Sequence, residues 1–109
     1  MKILNLFPLT VVEDSILIED KERDTLVEEI KKMKFNTNQK NRSQYAWTGD
    51  TKGHEFLFSN NLFNNLERKI SKSIIKYLNT LEINTQLLDI YYQRTWATFT
   101  ENDQNINFH

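Results

Sequence analysis

Apolar positions change their spacing repeatedly along this chain, and each change marks an element. Residues 3–18 are dense in Leu, Val and Ile and contain Pro8, which has no N–H to give to a ladder. They predict an edge strand or two short strands rather than a helix. From Asp20 the spacing becomes helical: acidic residues gather, and Leu26, Val27, Ile30 and Met33 recur on one face. A helix over residues 21–33 follows, with Asp20 or Asp24 as its cap. Its other face carries Glu28, Glu29, Lys31 and Lys32, with Glu28 and Lys32 spaced as an i,i+4 pair.

Residues 36–52 lose the pattern and read as a loop, since Asn36, Asn38, Asn41, Ser43 and Thr48-Gly49-Asp50 are turn residues. Tyr45 and Trp47 are its anchors to the body. After Asn60 or Asn61, either a good cap, the clearest stripe of the chain runs through Leu62, Phe63, Leu66, Ile70, Ile74, Tyr77, Leu78 and Leu81. It predicts a helix over residues 61–80 whose apolar face is core, or a surface awaiting cover. Residues 87–100 are rich in aromatic and β-branched types and predict one long strand, or two with a bend. On it Trp96 reads as a core aromatic, and Arg94 as paired with an acid or facing water. Residues 101–109 return to Asn and Asp and read as a loop. The fold class expected is α+β, in a single domain over residues 1–109.

Composition narrows the partners more than the chemistry. With 39% hydrophobic, 12% aromatic and 27% charged residues, the chain has the material for one core. Its 14 basic and 15 acidic residues are interspersed, so no basic stripe points to nucleic acid. The apolar start is broken by Asn5 and Pro8, too short for a signal peptide and far below a membrane span. A cytoplasmic protein without a membrane partner is the expectation. No cysteine is present, which removes disulfides and thiolate metal sites.

The residues alone offer little catalysis. Gly49 and Gly53 are the only glycines, so a nucleotide-binding loop is absent. His54 and His109 form no helical His pair, and each by itself reads as structural. Ser59, Ser71 and Ser73 lack a nucleophile-elbow context. No catalytic residue and no cofactor-binding residue can be named from the pattern.

The order of segments says more. Leu6-Phe7-Pro8 is followed by a helix, then by Asn41-Arg42-Ser43-Gln44-Tyr45-Ala46-Trp47-Thr48 with His54 close behind, then by an amphipathic helix. Trp96-Ala97-Thr98, a polar turn containing Gln104, and His109 complete the series. This series resembles the N-terminal portion of a family of 2-oxoglutarate/Fe(II)-dependent oxygenases, hydroxylases frequent in marine phages and bacteria. The resemblance implies the front part of a double-stranded β-helix, or jelly roll, with His109 as the first metal ligand. It implies Fe(II) and 2-oxoglutarate as cofactors, held in such enzymes by two histidines, a carboxylate and a basic clamp. It further implies that the other ligands and most barrel strands follow residue 109. The chain is then truncated before most of the iron site, binds neither cofactor stably and is inactive alone. Uncovered apolar surface would then favour self-association or docking of a missing C-terminal half. The alternative is a small interaction or structural domain of phage origin, without chemistry.

Overall fold

In the computed structural model, the residues described are 1–6, 9–37 and 45–105. They form a mixed α+β arrangement of two helices and two small antiparallel sheets. They divide into two compact bodies, Met1–Ile18 with Asn64–Tyr91, and Glu19–Phe63 with the chain from Tyr92 on.

In the first body, β1 (Lys2–Leu6) pairs antiparallel with β2 (Leu9–Glu13), so the N-terminal region adopts the two-strand option. Ile3 stands opposite Val12 and Leu4 opposite Val11, while Lys2 and Glu13 form an end pair at 3.6 Å. Helix α2 (Asn64–Thr80) joins this hairpin through polar contacts. The Tyr77 hydroxyl donates to the Thr10 carbonyl at 3.2 Å, the Ser73 hydroxyl to Asp14 at 2.6 Å, and the Lys69 ammonium to the Leu17 carbonyl. Its apolar stripe is only half-buried at Leu66, Ile70, Ile74, Tyr77 and Leu78. No residue of α2 is buried, and Leu81 just beyond it is exposed. A 3-10 turn, Thr85–Leu87, follows, with the Asn84 side chain accepting from the Gln86 N–H at 3.1 Å.

The expected long strand over residues 87–100 is not formed. Only Thr98–Phe99 make a strand, β4, with an isolated bridge at Thr95. Strand propensity measures fit to a pleated, half-covered surface, and a run without a neighbouring ladder has no such surface. Leu87, Leu88, Ile90 and Tyr91 are accordingly exposed, Tyr91 to 81%.

The second body is built on α1 (Asp20–Asn36), which runs past the predicted end at residue 33. Its cap position is Glu19, in extended conformation and without a side-chain cap bond, so neither Asp20 nor Asp24 caps it. Both carboxylates instead meet Arg23, at 3.3 and 3.6 Å. Glu28 pairs with Lys31 at 3.4 Å rather than with Lys32. Leu26 is buried, Ile30 and Met33 are half-buried, and Val27 is exposed. Beyond the helix, β3 (Trp47–Thr48) pairs antiparallel with β4, Trp47 opposite Phe99 and Thr48 opposite Thr98. The predicted loop over residues 36–52 thus contains a strand and a 3-10 turn, Gly49–Lys52. The predicted start of the second helix is also corrected. Asn61–Phe63 is a separate 3-10 turn, where the Asn60 side chain accepts from the Leu62 N–H at 3.0 Å. Among the described residues, Leu26, Ala46, Trp47, Leu57 and Phe63 are the buried hydrophobic ones, all in this body.

Candidate functional site

Segments some fifty residues apart meet in the second body. The Ala46 N–H donates to the Asn105 carbonyl at 2.7 Å, and the Gly49 N–H to the Ala97 carbonyl at 2.9 Å. The Thr95 N–H donates to the Glu55 carbonyl, and the Leu57 N–H to the Thr95 carbonyl, both at 2.9 Å. The Thr95 hydroxyl accepts from the Phe58 N–H at 3.1 Å. Residues 45–58 are therefore stitched along residues 95–105 by backbone bonds, which fix register without depending on side-chain identity.

Trp47 is the pivot, at 2% exposure. Its indole N–H donates to the Thr37 hydroxyl at 3.1 Å, and that hydroxyl donates to the Lys34 carbonyl at 2.8 Å near the end of α1. A buried indole N–H needs such a partner, and Thr37 ties the loop to the helix in supplying one. The expected anchoring role of Trp47 thus has a geometry, whereas Tyr45 is 37% exposed. Lys34 caps the other side: its ammonium lies 4.4 Å from the Phe99 ring centroid and 3.4 Å from Glu101.

His54 sits half-buried after a tight turn, its ring 6.1 Å from that of Trp47. The turn needs both glycines. A Cβ on Gly49 would stand 3.0 Å from the His54 carbonyl oxygen, and Gly53 adopts φ 80°. The His54 N–H closes the turn by donating to the Gly49 carbonyl at 2.8 Å.

Trp96 departs from its expected place in the core, with 43% exposure. Thr95, Ala97 and Phe99 are half-buried while Trp96, Thr98 and Thr100 are exposed. The two-residue alternation of extended chain puts Trp96 on the outward side. Arg94 is exposed too, and makes no ion pair among the described residues. Gln104 closes the polar turn, its side-chain oxygen accepting from the Glu101 N–H at 2.9 Å, with Asp103 at φ 68°. His109, the predicted metal ligand, lies outside the described residues, as do Phe7, Pro8 and Asn41 to Gln44 of the resemblance. Among the described residues no group of three or more His, Asp or Glu is placed to hold a metal ion. No described helix is long and apolar enough to cross a membrane.

Beside His54 opens a cleft of about 440 Å³, which the sequence reading passed over. Met33, Phe56 and Leu57 supply its apolar lining, and Glu29, Lys32 and Asn60 are among its polar groups. The Asn60 amide donates to Glu29 at 3.1 Å. The run Phe56-Leu57-Phe58, three apolar residues amid turn signals, was the sequence signal for this wall. Phe58 turns inward to meet Tyr92 edge-on at 4.9 Å, whereas Phe56 stays 60% exposed. No family model, curated protein or solved structure matches the chain.

Proposed function

We propose that this chain is the N-terminal portion of a 2-oxoglutarate/Fe(II)-dependent oxygenase of the hydroxylase type, contributing framework and the first metal ligand, His109. The observation that carries the reading is the pairing of residues 45–58 with residues 95–105. These segments hold Tyr45 to Thr48, His54, Trp96 to Thr98 and Gln104, which are among the residues on which the resemblance rests. The front part of a jelly roll is the fold that goes with this reading. The described residues do not themselves make up an iron site, since they bring no set of three ligands together. His109 is the one ligand assigned here, so the reading gives these residues a supporting role in a site that further ligands complete.

Two measurements test it. Sequencing the gene downstream of the His109 codon should reveal a second histidine two positions on and a further one later; a stop codon directly after His109 would sink the reading. Anaerobic titration of the chain with Fe(II) and 2-oxoglutarate should give no stoichiometric visible charge-transfer band, and a strong band would show a complete site and overturn the supporting role.

A second reading is an interaction or structural domain without chemistry; the exposed apolar residues Leu81, Ile83, Leu87, Leu88, Ile90 and Tyr91 are compatible with it as they are with the first. It expects a stop codon directly after that of His109, and continuation of the gene into further histidines would remove its support.

A further inference from the structure

The cleft beside His54 combines features that the oxygenase reading does not use. Glu29 and Lys32 both line it from one face of α1, a helical turn apart, or about 4.5 Å along the axis. They form no ion pair with each other: the Asn60 amide holds one oxygen of Glu29, and Lys32 meets no carboxylate among the described residues. Lys31 and Lys34, by contrast, are both matched with glutamates. Two unlike charges left side by side without neutralising each other complement a ligand that carries both. Phe56, with an exposed ring, and buried Leu57 line the cleft from residues 54–60, and half-buried Met33 lines it from α1 itself. A concave wall that is apolar at the base, with a few convergent polar groups, is the usual make-up of a small-molecule site. The exposed aromatic gives a flat group something to stack on.

We propose that this cleft binds a free α-amino acid with an aromatic side chain, its ammonium on Glu29, its carboxylate on Lys32 and its ring against Phe56 and Met33. Both ends are held by charge-assisted hydrogen bonds, and the ring sets the preference for aromatic over small amino acids. The site lies wholly within one compact body and requires no iron, so it stands whether or not the oxygenase reading does.

The test is titration of the full ¹⁵N-labelled chain with phenylalanine, N-acetylphenylalanine, phenethylamine and glycine, read by amide chemical shifts. Phenylalanine should bind saturably with shifts centred on residues 29–36 and 54–60, and the other three at least about tenfold more weakly. Lys32→Gln should weaken phenylalanine about tenfold while leaving phenethylamine unchanged, and Glu29→Gln should likewise weaken phenylalanine about tenfold while leaving N-acetylphenylalanine unchanged. The unbound spectra of both variants report whether the fold is retained. If a variant does not fold, the four probes on the native chain decide. Equal binding of phenethylamine or N-acetylphenylalanine would overturn the two-ended recognition. Equal binding of glycine would remove the aromatic wall. Shifts elsewhere, or none at millimolar phenylalanine, would overturn the site.

Discussion

Helix α2 carries the more regular apolar stripe of the two helices, yet no residue along it is buried, while α1, with the weaker stripe, buries Leu26. The bodies to which they belong differ in the same direction. Around α1 lie Trp47 and Phe63 at 2% and 1% exposure, whereas around α2 the described apolar side chains of the hairpin are half-buried at Val11 and Val12 and exposed at Ile3, Leu4 and Leu9. Periodicity tells which side of a helix is apolar, but the depth of burial depends on what is laid over it. In the α1 body, a loop aromatic hydrogen-bonded to Thr37 and stitched to residues 95–105 provides the cover. In the α2 body, a two-stranded hairpin is joined to the helix partly by polar bonds at Thr10, Asp14 and Leu17. A hairpin of two strands can cover little of a helix face.

The sharpest way to break this comparison is at Trp47. Trp47→Ala removes a buried aromatic and leaves the Thr37 hydroxyl without its donor, and it should cost about 3–5 kcal/mol in urea unfolding. The other tryptophan serves as the control. Trp96→Ala should cost about 1 kcal/mol or less, because its ring faces outward at 43% exposure. Equal costs would mean that the two rings are equally part of a core, and the contrast between covered and open positions would fail.

Next in size is the stripe of α2. Ile74 lies half-buried in the apolar groove between helix and hairpin, lined also by Val11, Ile16 and Ile70. Ile74→Ala should cost about 1–2 kcal/mol, well under the value for a closed core, since part of the side chain is already hydrated. A loss approaching that of Trp47→Ala would show the groove to be covered in solution.

The sequence made the helices legible, because their spacing is local and survives whatever packs against them. The two-strand option at the N-terminus was legible for the same reason, from Pro8 amid β-branched residues. What could not be read was anything set by a distant partner. The run from Leu87 to Thr100 has strand composition throughout, but pairing reaches only Thr95 and Thr98–Phe99, where residues 47–57 lie alongside. Trp96 looked like core by residue type, and only the register of that pairing turns it outward. Lys32 looked like the partner of Glu28, yet Lys31, one residue nearer, takes that place. The His54 cleft was legible only in the apolar run Phe56-Leu57-Phe58, because its other wall comes from α1 and no local pattern links the two.

The smallest expected effect concerns the polar join of hairpin and α2, at Asp14. The Ser73 hydroxyl donating to it holds its carboxyl below the ordinary carboxylate value, helped by the Ser15 N–H and the N-terminal ammonium at 3.4 Å, with desolvation pulling the other way. A carboxyl whose pKa is lower in the folded than in the unfolded chain contributes stability that is complete above the unfolded value near 3.8. That contribution is lost as pH falls through the lower, folded value. Ser73→Ala removes the largest cause of the depression, so the Asp14 titration midpoint, followed by carbon-detected NMR of its carboxyl, should move upward toward the ordinary value. The native chain should then lose slightly more of its neutral-pH stability, as pH falls through the range below about 3.8, than the variant loses of its own. An unmoved midpoint would show that Ser73 does not hold Asp14 in solution, and that the hairpin rests on α2 through apolar contact and the Tyr77 and Lys69 bonds alone.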